Sequence, residues 1–503
     1  MKIRSAPILG ALVTAALVLT GCAATGTETD NTPTDLTLTV STAPISLDPA
    51  KSNSEVIFSS LAYDSLIHVS SDGTYSPSLA ESFGYVGEGN TTFELKLREG
   101  LTFADETPLD SAAVAGYLEY FRNANGPFAA TMGLVESVDT PDDLTVVLNL
   151  SAPNPDIALQ FSEGGMWGSV VSPAGIADPE ALGSTTAGAG PYQLDTDASV
   201  AGSTYVYTPR ANYYDEDKQK WEKVTVNVIS DPNAALQSVI SGQAQWVEGT
   251  PDQVAAAEAA GLTVAQGVPD TLLLFLEDRE GVLAPALADE RVRQALNYAI
   301  DRDAIAEVLG GIPAQQIIAP QRVGYSEEAN SVYSYDPEMA KKLLADAGYE
   351  DGFELLALVG AFDASSSQAL QIVSEQFKAV GVDVTIQSAA TFGDLAAAQE
   401  GRTVPSLMLP WGATTMFSVA QQLVLPSGVV NPFKSEDPEL IAKFDAGTVA
   451  SGDEAYPAWE DFSLAVTEKA WFVPIAVLYA PFFGSGIDDP AGDGFIQPNP
   501  LYF

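Results

Sequence analysis

One cysteine and one histidine in a chain of 503 residues close off much of the usual chemistry before any motif is read. With Cys22 alone, no disulfide can form within the chain, and a metal site built from several His or Cys ligands is excluded. Ser-His-Asp or Cys-His catalysis would have to run through His68, which sits in the apolar stretch SLIHVS, where a packed imidazole is the ordinary outcome. No Gly-x-Ser-x-Gly elbow is present. The glycines of AGAGPYQL are not followed by a helix-opening Lys-Ser/Thr pair, so they are turn punctuation and not a phosphate cradle. Positive charge is scarce as well: 22 Lys+Arg stand against 67 Asp+Glu, a net charge of −45. Such a surface repels phosphate backbones and anionic headgroups. This argues against nucleic-acid binding and requires any membrane contact to use a covalent anchor or an apolar segment.

That anchor has a candidate at the start of the chain. Lys2 and Arg4 precede an apolar run, Ile8 to Leu19, too short to span a bilayer comfortably, and the run ends in Leu19-Thr20-Gly21-Cys22. This resembles the bacterial lipobox, in which the Cys thiol takes a diacylglycerol and becomes the mature N-terminus. Residues 1–22 are therefore expected to be a lipoprotein signal peptide with Cys22 the lipidated residue. Residues 23–34, small, polar and Thr-rich, are expected to be a flexible tether.

Hydrophobic residues make up 46% of the chain, enough for a globular protein, and the length calls for two or three domains. Strand patterns are written at Leu36–Val40, Phe93–Leu97, Leu144–Leu150 and Val224–Val228. Helices are expected at about 55–66, at Asn233–Ile240 behind Asp231-Pro232, and at Ser367–Val380 before Gly381. In DERVRQALNYAIDR, Asp289 reads as an N-cap, and Val292, Ala295, Leu296, Ala299 and Ile300 form one apolar stripe, with Arg291, Arg293, Gln294 and Asn297 mostly off it. A second helix opens at Asp336-Pro337 and stops at Gly348. Helix–Gly–strand units of this kind argue for α/β packing.

The order of these segments resembles the extracellular solute-binding proteins of peptide-type ABC importers, bacterial family 5, over about 36–503. The resemblance rests on DERVRQALNYAIDR, PSLAESF, REGLTFADETPL, AGAGPYQL, SYDPEMAKKLLADAG and WFVPIAVLYAPFF together. It implies a two-lobed α/β clamp (type II, cluster C-like) with an extra β-rich subdomain in lobe I. The implied divisions are lobe I at 35–268 with the subdomain inserted at about 50–186, lobe II at 269–475, and a return to lobe I at 476–503. It implies a monomer that captures a small peptide or other organic solute and delivers it to ABC permease and ATPase subunits at the outer face of the cytoplasmic membrane. No cofactor, no metal and no catalysis are implied. A lipoprotein receptor that senses a peptide without import needs the same clamp and stays open, as does a secreted hydrolase using Asp or Glu chemistry.

Two departures from the family pattern stand out. Asp105-Glu106 replaces the usual Asp-Gly turn, and because Glu106 disfavours positive φ, a reshaped turn is expected. In peptide-binding members, the loop that carries a Trp also carries, three residues on, an Asp that pairs with the ligand's α-amine. Trp411 is present here, but Thr414 stands at the matching position and no carboxylate occurs from Ser406 to Val430. Either Glu248 on the opposite lobe replaces that partner, or the ligand has no free amine and is held by apolar and aromatic surface. The candidate binding residues are Ser46 in the first cleft-edge loop, Trp167, Trp246, Glu248, Trp411, Thr414, Met416 and Phe417. Trp167 and Trp246 read equally as core, Met416 and Phe417 more readily as core than as ligand contacts, and Trp411 more readily as a ligand contact because its neighbours match the ligand loop.

Overall fold

The computed structural model describes residues 34–53, 56–412, 414–494 and 497–503. The signal segment, Cys22 and nearly all of the expected tether lie outside the described residues.

Two long strands organise everything else. Thr263–Leu276 and Phe472–Gly484 run antiparallel side by side, from Thr263 opposite Gly484 to Phe275 opposite Phe472. Their burial changes along their length. Thr263–Asp270 is partly exposed, and so are Leu478, Tyr479 and Ala480, whereas Thr271–Leu276 and Phe472–Val477 are buried. The buried half has no polar face because both faces are covered. Leu272, Leu274 and Leu276 enter one core, Leu273 and Phe275 the other. The apolar run Thr271–Leu276 is thus the buried end of a longer strand, whose wet half links two bodies.

The sheet continues outward on both sides. Ser406–Trp411, Phe353–Gly360 and Val382–Ala389 extend it past Thr263–Leu276, the last pairs being parallel. On the other side Trp246–Glu248, Asp35–Val40, Lys223–Val228, Thr204–Pro209 and Tyr192–Leu194 extend it past Phe472–Gly484. A separate antiparallel sheet, ordered Ala80–Tyr85, Thr92–Leu97, Thr145–Leu150, Val135–Asp142, packs with helix Ser111–Asn123 in the core shared by the first body. The chain returns to that core at its end: Phe482, Ile487 and Leu501 are buried in it.

Where the crossing strands leave the first body, the ladder slips. Gln266 faces Pro481 but Pro269 faces Tyr479, so one extra residue sits on the first strand at Gly267-Val268. Gly267 is required there by contact: a Cβ would lie 2.3 Å from the Ala480 carbonyl oxygen and 2.7 Å from the Phe482 ring.

The helix capped by Asp289 ends sooner than its stripe suggests. It spans Glu290–Tyr298, and a new helix, Arg302–Leu309, starts behind the cap Asp301. Ala299 and Ile300 lie past the helix end and are still buried. Arg293 and Asn297, expected mostly off the apolar stripe, are buried too, because each satisfies main-chain carbonyls that the packing leaves without partners. Arg293 donates to Leu287 and Lys469, Asn297 to Phe472 (3.0 Å), and Arg302 to Pro474 (2.8 Å) and to the Asn297 side chain (2.8 Å). The helix expected at about 55–66 is shorter, Val56–Ala62, since Ile67–Val69 is already a strand. Gly188 and Gly190 explain the stop: the turn they form presses on the Ala62 carbonyl, and the Gly190 N–H donates to it at 2.9 Å. The turn at Glu106 is not reshaped. Glu106 takes φ +65°, held by the Phe103–Thr107 backbone bond at 2.9 Å and by Thr107 donating to the Asp105 carboxylate. Those bonds offset the roughly 1–2 kcal/mol that the left-handed conformation costs a side chain.

His68 fastens the returning segment. Its Nδ1 lies 2.7 Å from Glu163, its Nε2 3.4 Å from Asp493, and its ring stacks on Tyr502 at 4.5 Å. Burial pushes the imidazole pKa down, but the hydrogen bond and charge of Glu163, then those of Asp493, outweigh it and hold the pKa above its ordinary value. A raised folded-state pKa stabilises fully below the unfolded pKa and is lost as pH rises through the folded one. Heating wild type and His68→Gln at pH 6 and pH 9 should therefore show a gap in Tm at pH 6 that closes at pH 9. A gap of the same size at both values would refute the ion-pair assignment. Gly267→Ala should cost about 1–3 kcal/mol by denaturant titration. Gly116→Ala, on an exposed helix face with nothing near its added Cβ, should gain up to about 1 kcal/mol.

Candidate functional site

The wet stretch of the crossing strands floors a cleft between the two bodies, lobe I and lobe II. Asn90 of lobe I donates to the Thr448 and Ala450 carbonyls of lobe II, each at 2.9 Å. These cap the end of helix Pro438–Val449, whose last carbonyls have no partner within the helix. Thr415 of lobe II donates to the Asp156 carboxylate of lobe I.

Three cavities line up along this cleft. A near chamber of about 370 Å³ is walled by Ile57, Phe58, Trp246 and Phe482 and carries two carboxylates, Glu248 and Asp270. A neighbouring cavity of about 220 Å³ shares Val268 and Phe482 with it and adds Arg322 and Tyr479. A far chamber of about 490 Å³ is formed by lobe I residues from Phe128 to Gly165 and lobe II residues from Gly412 to Gln422. Asp270 stands between near and far chambers: a Cβ on Gly412 would meet its Oδ1 at 2.6 Å. Alternation along Trp246–Glu248 explains how Glu248 reaches the near chamber. Val247 packs on one face of the sheet, and Trp246 and Glu248 take the other. Burial pushes both the Glu248 and the Asp270 carboxyls above their usual range; for Asp270 the Arg322 charge works against that and Asp363 with it.

The sequence-picked residues do not all gather here. Glu248 and one edge of Trp246 line the near chamber, while Thr414 and Phe417 line the far one. Trp246 is otherwise core, its indole N–H donating to Pro490 at 2.7 Å and its ring stacked between Phe482 and Phe503. Phe417 backs onto Phe444 and Trp459. Trp411 is half-buried at the end of its strand, edge-on to Phe275. Trp167 is fully buried, and its N–H holds Thr131, a far-chamber residue, at 3.0 Å. Met416 is fully buried in the lobe II core. Ser46 lines none of the three cavities and accepts from the Asp48 N–H at 3.1 Å.

Asn90, Asp156 and Asp270 were missed. Asp270 left a trace, as a charge directly before an unbroken apolar run. Asp156 sits in SAPNPDIALQF among turn formers, where an Asp ordinarily caps the next helix. Nothing distinguishes Asn90 in a Gly-rich turn. Among the described residues no cluster of three or more His, Cys, Asp or Glu could hold a metal ion, and no helix is long and apolar enough to cross a membrane.

Residues 74–425 match the family described as bacterial extracellular solute-binding proteins, family 5 middle. The glutathione-binding protein GsiB of Escherichia coli strain K12 is 27% identical over 335 residues, 64% of this chain and 63% of that protein. The chain thus matches less than two thirds of the length of such relatives. The ABC transporter substrate binding protein CtaP from Listeria monocytogenes superposes with a TM-score of 0.78 at 20% identity, covering 93% of this chain and 99% of that one. DppA from Helicobacter pylori, in complex with the peptide STSA, gives 0.73 at 17% identity, covering 93% and 97%. At these identities the likeness establishes the fold, the two-lobed clamp of periplasmic binding proteins.

Each inter-lobe hydrogen bond is worth about 1 kcal/mol. Asn90→Ala should therefore shift the lobes toward an open arrangement, read as a larger radius of gyration in small-angle scattering with Tm lowered by only a few degrees. An unchanged radius in both Asn90→Ala and the double variant with Thr415→Val would mean these bonds do not govern closure.

Proposed function

From the chain's membership of the bacterial extracellular solute-binding proteins, family 5, we propose that it is the substrate-binding protein of an ABC importer for a peptide or similar organic solute. The observation that carries this reading is the cleft itself: a near chamber with apolar and aromatic walls and two carboxylates, a far chamber lined largely by amides and hydroxyls, and two lobes joined by two strands and, among the described residues, a handful of hydrogen bonds. The solute enters between the lobes, its contacts to both faces favour the closed arrangement, and a membrane permease recognises that arrangement. Membership of a solute-binding family and relatives named for what they bind, not for a reaction, support capture without chemistry. Cys22 carries the lipid that holds the protein at the outer face of the cytoplasmic membrane, and 23–34 is the tether. Lobe I spans 35–268 with its insertion at about 50–186, lobe II 269–475, and the return 476–503.

Within the cleft, Glu248 is the partner for a free α-amine. It stands on a sheet strand and faces the near chamber beside Phe58, Trp246 and Phe482. Trp246 walls the near chamber beside it, Thr414 and Phe417 wall the far chamber with Trp411 at the end of the neighbouring strand, Trp167 and Met416 support the far chamber from behind, and Ser46 lies in the loop at the cleft edge. Relatives named for glutathione and for peptides favour a ligand with a free amine over a wholly apolar one.

Native mass spectrometry of the soluble form lacking residues 1–22, before and after mild denaturation, tests the reading. A ladder of co-purified peptide masses is the expected result. Glu248→Gln should then weaken capture of free-amine peptides by about tenfold or more while leaving N-acetylated ones unchanged. A single non-peptide mass would overturn peptide import, and equal losses for both peptide sets would remove Glu248 from the amine site.

A further inference from the structure

Asp156 is placed where an aspartate usually caps a helix, just before Ile157–Gln160, yet its side chain makes no capping bond. Asp110, Asp231, Asp301, Asp336, Asp363 and Asp437 all cap the helices they precede. Asp156 instead turns into the far chamber and meets Thr415 of the opposite lobe. The Thr415 hydroxyl accepts the Ser418 N–H at 3.1 Å and so gives its own proton to Asp156 Oδ2. That fixes the carboxylate as an acceptor on one oxygen. The other oxygen, Oδ1, takes no hydrogen bond from the described residues and is open to the chamber, the side chain being half-buried.

The chamber around it is polar but uncharged. Thr131, Asn154, Gln160, Ser418, Gln421 and Gln422 supply donors and acceptors, and Asp156 is the one ionisable side chain among the described residues of the lining. Burial pushes its carboxyl up to about 6, and the Thr415 bond works only partly against this; no cation contributes. A half-buried carboxylate without a counter-charge is stabilised by a cation brought beside it. The loop Ser406–Val430 carries no carboxylate of its own; Asp270 of lobe II stands only at its Gly412 end, and the carboxylate at Thr415 is brought by lobe I.

We propose that Asp156 binds a basic group of the solute, a primary ammonium or a guanidinium, in the far chamber, and that this subsite is assembled by lobe closure. The solute class is therefore cationic: a peptide with a basic side chain, whose α-amine occupies the near chamber. This rests on the reading of the cleft as the solute site but adds a second charge requirement. The uncharged amides and hydroxyls around Asp156 hydrogen-bond the remaining N–H groups of the basic head.

Isothermal titration of the soluble protein with the three alanine tripeptides bearing one Lys, their three norleucine counterparts, and 1,5-diaminopentane tests it. At least one Lys peptide should bind at least about tenfold more tightly than its norleucine counterpart. Asp156→Asn can still accept from Thr415 and has no charge to desolvate on closure, so it should erase that preference by weakening the Lys peptides, with norleucine peptides bound as tightly as before or more tightly. Thr415→Val should weaken both sets by the same factor and keep the preference. Glu248→Gln should likewise weaken both, which separates the two charge sites. Tight binding of both sets without preference, or a preference that survives Asp156→Asn, overturns the subsite and leaves peptide capture standing. Binding of diaminopentane alone, lost in Asp156→Asn, keeps the subsite and sinks peptide capture. Binding of no probe overturns both.

Discussion

The antiparallel ladder between Thr263–Leu276 and Phe472–Gly484 is the constraint on which the rest depends. A strand buried on both faces cannot bend without losing packing on both sides, so lobe II is held firmly where Thr271–Leu276 and Phe472–Val477 pass through it. Between the lobes they lose their cover, and the ladder takes an extra residue at Gly267-Val268. Bulges disrupt pairing locally and increase twist. The irregularity in the partly exposed half of the ladder therefore coincides with the cleft floor, where Val268, Asp270 and Tyr479 line the cavities.

Rigidity in lobe II is completed by polar groups that would be costly anywhere else. Arg302 is fully buried, and desolvation pulls its guanidinium down to about 9. It persists because Pro474 and Asn297 carbonyls and the Asn297 amide side chain take its protons. Pro474 lies where the second crossing strand has its own register shift, between Leu272 and Leu273 of its partner, so a ladder carbonyl is freed there. The helix pair Glu290–Tyr298 and Arg302–Leu309 is thus clamped onto a crossing strand through that strand's irregularity. Asn297 reads, on periodicity alone, as lying mostly off the apolar stripe.

Element existence was legible wherever local chemistry decides it. Asp231-Pro232 and Asp336-Pro337 start helices in the structure, Gly348 and Gly381 take positive φ at the stops, and the alternation at Thr92–Leu97 and Lys223–Val228 is that of half-covered strands. Tertiary contact overrode local preference at Ala62, where a Gly-turn cuts the helix short, and at Glu106, where hydrogen bonds impose a glycine-like conformation. The cleft was legible as a place and less so as a set of atoms. Bulky candidates such as Trp167 and Met416 went into cores because their area is worth more there, while short polar residues such as Asp156 and Asn90 do the bridging. Their partners lie hundreds of residues away, and no local pattern encodes such a pairing.

The sparse bridging has a thermodynamic consequence. Hydrogen bonds of about 1 kcal/mol each hold closure near balance and cannot lock it. A solute can shift such an equilibrium only by the difference between its affinities for the open and closed arrangements. Groups that exist on one lobe alone contribute nothing to that difference. Asp156 differs, because in the closed arrangement it sits against Thr415 in a chamber that neither lobe encloses alone. Its charge is cheap in water and costly in the chamber, so a contact that compensates it acts on closure itself and not merely on occupancy. An acidic protein whose surface repels anions, with carboxylates set along the cleft from Glu248 and Asp270 to Asp156, thereby converts the charge of its solute into the position of its lobes.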